Sequence, residues 1–140
     1  MSRQVRTAMR ITADTNVLVR AVTEDHEHQS RVAQTALKKA ELVAIPTSAL
    51  CELVWVLSQG YKIPPAEIAE AIRRLMNGAN AAVNRPAAEA GLALLEAGGD
   101  FADGVIAYEG SWLGAETFVS FDKKAVKLFE AQGGSARLLA

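Results

Sequence analysis

The sequence contains a single cysteine, Cys51, and this scarcity excludes several classes of small protein. One thiol cannot form an intramolecular disulfide framework, and a zinc site built from several cysteines needs more than one. The expected role of Cys51 is that of a small, buried apolar residue.

Long apolar runs are also missing, because no segment approaches the roughly 20 apolar residues that span a bilayer. Residues 1–8 are polar and basic, with no apolar run behind them, so they do not have the pattern of a secretory signal. We expect residues 1–8 to be an N-terminal arm or extension and the protein to be cytoplasmic. Residues 9–140 are expected to be one domain, since this length is enough to bury a core.

Neither sign of charge dominates, with 15 Lys and Arg against 16 Asp and Glu. This balance neither favours nor excludes a nucleic-acid partner, because a phosphate backbone responds to local charge rather than net charge. Aromatic residues are only 6% of the chain, whereas half of all residues are apolar and many of these are alanine. We therefore expect helices that pack through small side chains.

Short apolar runs rich in β-forming residues alternate with segments whose apolar residues recur every three or four positions. This alternation predicts a three-layer α/β/α sandwich with a central, mostly parallel sheet. Pro64-Pro65 favour a helix start, and Gly98-Gly99 favour a helix end. The predicted strands cover 9–13, 42–45, 81–83, 117–120 and 136–139, and the predicted helices cover about 17–22, 27–40, 49–59, 64–76, 85–95, 100–113 and 122–130.

Acidic residues follow two of the predicted strands. Asp14 comes directly after the first strand, and Asp122 comes two residues after the strand at 117–120; Asp100 and Asp103 open the helix between them. Ligands of open parallel sheets bind beyond the carboxyl ends of the strands, so these positions suit a functional site. Helix capping explains each aspartate equally well when it is taken alone.

Glu52 is harder to explain by capping, because it lies inside a predicted helix that is apolar on nearly every side. Thr47-Ser48 are expected to cap this helix. A buried carboxylate is costly unless it is paired, hydrogen-bonded or bound to a metal, and no basic residue lies one turn away. The alternative is that Glu52 lies on the one exposed stripe of its helix.

Carboxylates gathered at one sheet edge would repel each other and raise each other's pKa values, and a divalent cation would remove that penalty. Ligand sets made of oxygen atoms favour hard cations, so Mg²⁺ or Mn²⁺ fits and zinc does not. His26 and His28 are expected to be surface residues rather than ligands.

Four segments resemble, in order and spacing, the motifs of the PIN domain. They are Ala13-Asp14-Thr15-Asn16-Val17-Leu18, Ser48-Ala49-Leu50-Cys51-Glu52-Leu53, Asp100-Phe101-Ala102-Asp103 and Ser120-Phe121-Asp122. Chain length and residues 14–29 look most similar to a VapC-type toxin of a bacterial toxin–antitoxin pair.

The resemblance implies an Mg²⁺- or Mn²⁺-dependent endoribonuclease, with a metal-bound water attacking phosphorus in line. It places Asp14, Asp103 and Asp122 on the metal, with Glu52 as a further ligand or as the group that orients or deprotonates the water. It also implies that Asn16 and Ser120 support the acids, and we expect Asp100 to cap its helix and to support Asp103. Ser120 and Gly104 stand where threonine and alanine are commoner in the family, and Gly104 costs some helix stability.

RNA needs cations along its backbone, and Arg20, Lys123 and Lys124 are the candidates nearest the predicted site. A solvated helix face explains these three residues as well. The resemblance also implies a homodimer and a cognate VapB-like antitoxin that occupies a groove beside the site. Trp55 is expected to pack in the core, with a dimer face as the alternative for Trp55 and for Trp112.

Other functions remain open at this stage. A phosphatase of the haloacid-dehalogenase type also has an aspartate after its first strand, but it needs a second aspartate where this chain has Asn16. A phosphorylation-receiver or binding domain is disfavoured by Pro46-Thr47 and by the missing lysine after the last strand. A catalytically inactive PIN-like binding module is the main alternative, although all four acids are present.

Overall fold

The computed structural model describes residues 9–140, and the predicted arm at residues 1–8 lies outside the described residues. Short strands and α-helices alternate along this part of the chain, as the apolar pattern predicts. The strands are β1 (Arg10–Thr12), β2 (Leu42–Ile45), β3 (Ala81–Val83), β4 (Phe118–Ser120) and β5 (Ala136–Leu138). The helices are α1 (Thr15–Thr23), α2 (Glu27–Lys39), α3 (Thr47–Trp55), α4 (Pro65–Met76), α5 (Arg85–Glu96), α6 (Phe101–Trp112) and α7 (Lys123–Ala131), and a π-helical turn (Val56–Gly60) continues α3.

The strand pairings of residues 9–140 are all parallel. β2 lies between β1 and β3, with Val43 opposite both Ile11 and Ala81, whereas β4 pairs with β5. The predicted α/β/α class is confirmed, although these strands form a three-stranded and a two-stranded sheet instead of one continuous sheet. Because parallel strands end at the same edge of the sheet, α1 and α3, which follow β1 and β2, begin at that same edge.

The core lies between the three-stranded sheet and the helices that follow its strands. Its side chains come from α1 and from every helix between α3 and α6, because each of these helices has one apolar stripe. None of the helices in residues 9–140 is both long and apolar enough to cross a bilayer. The largest fully buried side chains are Leu18, Leu50, Leu53, Leu57, Ile68, Ile72, Met76, Leu92 and Phe101.

Helices α5 and α6 approach each other closely because glycines face the contact. A Cβ atom added at Gly104 would lie 2.2 Å from the carbonyl oxygen of Ala90, and one added at Gly91 would lie 2.7 Å from the ring of Phe101. Gly104 therefore has a packing role that its low helix propensity alone does not reveal.

The start of α3 differs from the sequence prediction. Pro46 occupies the N-cap position, so the predicted Thr47-Ser48 cap is wrong. The Thr47 hydroxyl instead donates a hydrogen bond of 3.0 Å to Oε2 of Glu109 on α6. This contact ties the first turn of α3 to the second half of α6, 62 residues away.

Candidate active site

Asp14 lies at the carboxyl end of β1, in the N-cap position of α1. Its backbone is extended, and its carbonyl oxygen accepts hydrogen bonds from the N–H groups of Val17 and Leu18. Its side chain makes no capping hydrogen bond. Capping therefore explains the backbone conformation of Asp14 but gives no role to its carboxylate, and Asp14 is exposed.

Glu52 is exposed, so the expectation of a carboxylate within a largely buried helix is wrong. Helix α3 buries Ala49, Leu50, Leu53 and Val54 and leaves Glu52 on its open side. One oxygen of the Glu52 carboxylate, Oε1, accepts a hydrogen bond of 2.6 Å from the hydroxyl of Thr15. This bond joins Glu52 to the residue that directly follows Asp14.

Trp55 shares the open side of α3. Its side chain is 67% exposed, so the expectation that it packs in the core is wrong. Trp112, near the end of α6, is also exposed, and its indole N–H donates to the hydroxyl of Tyr108. Such large exposed aromatic side chains are a feature of interaction surfaces.

The other acids meet near the start of α6. Asp100 caps this helix, since its Oδ1 accepts a hydrogen bond of 3.2 Å from the N–H of Ala102. Asp103, one turn later, is half-buried. Burial raises the pKa of Asp103, and the negative charges of Asp100 and Asp122 raise it further. The structure therefore brings the first turn of α6 together with the end of β4.

Asp122 caps α7, so the helix-capping role considered for it in the sequence analysis is present. Its Oδ1 accepts hydrogen bonds of 2.9 Å and 3.3 Å from the N–H groups of Lys124 and Ala125. The Ser120 hydroxyl accepts a hydrogen bond of 2.9 Å from the N–H of Asp122 and so holds the loop that carries this aspartate.

Cys51 lies on α3, near enough to acids of α3 and α6 to be affected by their charges. Burial raises the pKa of its thiol to about 11, and the charges of Asp100, Glu109 and Glu52 contribute to this rise. Cys51 is half-buried rather than fully buried, and its neighbours show that α3 and α6 present their carboxylates to a common region.

This region has the composition of a site for a hard cation, because its charged donors are carboxylate oxygens. As the side chains stand in residues 9–140, no three or more His, Cys, Asp or Glu residues are close enough together to hold a metal ion. Burial and, after it, the charges of Asp100 and Asp122 raise the pKa of Asp103, and a bound cation would offset both effects. The four-acid metal site therefore stays a prediction.

Arg20 belongs to a hydrogen-bond network around Asp25. Its guanidinium donates to Gln29 at 2.7 Å and contacts Asp25 at 3.4 Å, and the hydroxyls of Tyr61 and Thr23 donate to the same aspartate. These bonds join α1 to α2 and to the residue after the π-helical turn. This network was not foreseen: most of its members are close in sequence, but Tyr61 lies 36 residues after Asp25.

Three other predicted site residues are exposed: Asn16, Lys123 and Lys124. Both lysines lie in the first turn of α7, directly after Asp122.

Of the two histidines, His26 accepts a hydrogen bond of 3.3 Å from the N–H of Gln29 at the start of α2, and His28 is exposed.

Thr15 and Glu109 are the residues near the acids that the sequence did not single out. Thr15 was visible as part of the first motif, but its partner lies 37 residues away. Glu109 lies about two turns after Asp103 on an exposed helix face. A glutamate in such a position looks like any solvent-exposed helix residue in the sequence.

Comparison with known proteins identifies the family of the chain. A search of curated proteins found no similar sequence. The sequence profile described as the PIN domain matches residues 11–129, which include all four predicted acids. Because this match covers most of the chain, the protein belongs to the PIN domain family, whose members are in general metal-dependent nucleases.

Proposed function

We propose that this chain is an Mg²⁺- or Mn²⁺-dependent endoribonuclease of the VapC type, a toxin that cleaves RNA phosphodiester bonds and is neutralised by a cognate antitoxin. The observation that carries the proposal is the acidic region at the ends of β1 and β4 within a PIN domain. We also expect the protein to act in the cytoplasm, where RNA is found.

Asp14, Asp103 and Asp122 are the proposed metal ligands. The Asp14 carboxylate makes no capping bond, and Asp122 uses one oxygen for capping, so each retains an oxygen for an ion. A bound divalent ion lowers the pKa of a water molecule and offsets the charge that develops on the attacking and leaving oxygens. Ser120 supports Asp122 through its backbone, and Asp100 supports Asp103 by starting α6.

Glu52 is proposed either as a further ligand or as the group that orients or deprotonates the attacking water. Thr15 occupies one oxygen of its carboxylate, so the second is the one that would face an ion or a water molecule. Lys123 and Lys124 are proposed to hold the phosphate backbone, since both are exposed beside Asp122. Asn16 would support the acids from α1, and Arg20 is the third candidate for holding the phosphate backbone.

The test of the proposal is cleavage of total RNA with and without Mn²⁺, with the product ends mapped. Asp14→Asn is expected to abolish cleavage while the fold is kept, because it removes one ligand charge at an exposed position. Glu89→Gln is the matched control, since it also removes one carboxylate charge at an exposed position, on α5 and away from the proposed site. An Asp14→Asn variant that cuts RNA at the wild-type rate would remove this residue from the mechanism.

A catalytically inactive PIN-like binding module is the second candidate. It is favoured by the absence, within residues 9–140, of carboxylates already arranged as a metal site, and by the capping role of Asp100 and Asp122. This candidate predicts RNA binding without cleavage at any Mn²⁺ concentration. Mapped cleavage ends that disappear in Asp14→Asn would eliminate it.

A groove of about 740 Å³ lies between α1, α2 and α4. None of the four acids lines it, so it is not the groove beside the site that the resemblance implies, and we propose it as a separate place for an antitoxin segment to bind. Its floor includes Val43 and Ile45 of β2, and its walls include Leu37 and Leu75. Charged side chains at the groove, Lys38, Arg74, Glu24, Glu67 and Glu70, would pair with the polar residues of an amphipathic segment.

Ala71→Glu tests the groove, because it places a charge on a wall without touching the acids. We expect this variant to cleave RNA normally and to escape neutralisation by the antitoxin. Ala66→Glu is the matched control, since Ala66 is exposed on the same helix and is not part of the groove lining. Equal neutralisation of both variants would contradict this placement of the antitoxin.

A homodimer is proposed through the exposed apolar side chains of α3 and α6. Trp55, Ile106 and Trp112 are 67%, 57% and 75% exposed, and these two helices pack against each other. Burial of this apolar surface against a second copy of the chain would remove the free-energy cost of exposing it to water. Sedimentation of Trp55→Ser against wild type tests the dimer.

A further inference from the structure

The first turn of α1 carries a hydroxyl with an unusual partner. Thr15 is the first residue of the helix, and its side chain donates a hydrogen bond of 2.6 Å to Glu52 on α3. Thr15 follows the N-cap residue Asp14, and its hydroxyl donates to Glu52 instead of accepting a capping hydrogen bond from a backbone N–H. Among the hydrogen bonds of residues 9–140, this is the one that the Glu52 carboxylate accepts.

The backbones that carry this bond are held firmly. Helices α1 and α3 pack against each other, and Leu18, Leu50 and Leu53 are fully buried in the core. The carboxylate of Glu52, by contrast, is exposed at the end of a side chain with three rotatable bonds. Core packing therefore sets the distance between the two helices but not the direction of this carboxylate.

We propose that Thr15 is a positioning residue, whose hydroxyl fixes the Glu52 carboxylate at the start of α1 before a metal ion binds. The inference rests on the proposed function, because it assigns a role within the same site. Fixing a flexible side chain in advance spares part of the entropy loss on binding, which corresponds to up to about tenfold in affinity. The hydroxyl occupies Oε1 and leaves Oε2 for the ion or for a water molecule.

A surface hydrogen bond without a functional role is the competing explanation. Such a bond contributes to the stability of the fold and has no reason to alter metal affinity. A positioning role instead predicts a change in metal affinity that depends on the presence of Glu52. The two explanations therefore differ in a quantity that does not require cleavage to be measured.

The experiment is titration of the full chain with Mn²⁺ by calorimetry, comparing wild type with Thr15→Val and Thr15→Ser. Thr15→Val keeps the shape of the side chain and removes the donor, and we expect it to weaken Mn²⁺ affinity about five- to tenfold. Thr15→Ser keeps the hydroxyl and is expected to bind Mn²⁺ within about twofold of wild type. Thr35→Val, on the exposed side of α2, is the matched control.

A Glu52→Ala background completes the test, since Thr15→Val should have no further effect once the carboxylate is absent. An equal loss of affinity in both backgrounds, or wild-type affinity in Thr15→Val, would overturn the inference. If Thr15→Val loses its far-UV circular dichroism, Thr15→Ala takes its place under the same criteria.

Cleavage measured in parallel separates this inference from the proposed function. We expect Thr15→Val to lower kcat by a similar factor and to leave KM for RNA nearly unchanged. Wild-type protein that binds Mn²⁺ but cuts no RNA would contradict the proposed function, while the affinities would still decide the role of Thr15. Wild-type protein that binds no Mn²⁺ would overturn both.

Discussion

Gly104→Ala tests the packing that holds Asp103 in place. In the structure a Cβ atom at Gly104 would lie 2.2 Å from the carbonyl oxygen of Ala90, 2.7 Å from its carbonyl carbon and 2.8 Å from Cα of Gly91. All three atoms belong to the backbone of α5, so no side-chain rotation can relieve the overlap. Helices α5 and α6 must therefore move apart.

The magnitude follows from two opposing effects of the added methyl group. Overpacking of a close contact costs about 3 kcal/mol at the upper end of the usual range. Replacing glycine by alanine inside a helix contributes about 1 kcal/mol in the opposite direction. We expect a net loss of about 2 kcal/mol in the free energy of unfolding, together with slower RNA cleavage because Asp103 moves with α6.

Urea unfolding followed by circular dichroism measures this loss as a lower midpoint with an unchanged slope. Gly110→Ala is the matched control on the same helix, since a Cβ atom there would meet nothing within 4 Å. The control is expected to gain about 0.5–1 kcal/mol. A Gly104→Ala variant at least as stable as wild type would refute the close approach of the two helices.

Three further predictions concern the acidic region. Burial and neighbouring carboxylates raise the pKa of Asp103, so the folded state holds this proton more tightly than the unfolded state and loses that stabilisation as pH rises. The melting temperature of Asp103→Asn should therefore be higher than that of wild type at pH 7 without metal. This difference in melting temperature should vanish below pH 3.8, the ordinary pKa of aspartate. A difference that does not depend on pH would contradict the prediction. With its pKa raised to about 11, the Cys51 thiol should react with iodoacetamide at pH 8 about 100-fold more slowly than a free thiol. A rate equal to that of the urea-unfolded chain would speak against its burial and its acidic surroundings. Replacing Lys123 and Lys124 with Gln should make the slope of log binding constant for RNA against log salt concentration less steep by up to about 1.4. An unchanged slope would exclude both lysines from the phosphate contacts.

The secondary structure was predictable because it depends on neighbours along the chain. Prolines and glycines at helix ends, and apolar residues at helical or strand spacing, were enough to locate every strand and helix within a few residues. Capping by Asp100 and Asp122 was predictable for the same reason, since the partner N–H groups lie two or three residues away.

Predictions that depended on which surfaces meet were less successful. Trp55 was expected in the core because its helix is apolar, but the structure turns this side of α3 to solvent. The expected cap at Thr47 was wrong because Pro46 takes that position and the hydroxyl reaches Glu109 on another helix. Hydrophobic periodicity indicates that a helix has a buried side, but it does not state which neighbour covers that side.

The sequence by itself determined the α/β alternation, the parallel sense of the strands and the placement of acids after β1 and β4, because local preferences and chain connectivity decide these features. Tertiary structure alone decided that Thr15 donates a hydrogen bond to Glu52, that Asp103 is half-buried, with a pKa raised by this burial, and that Gly104 lies against Ala90. These contacts join residues up to 37 positions apart, and they exist because helix packing brings distant surfaces within hydrogen-bonding or van der Waals distance.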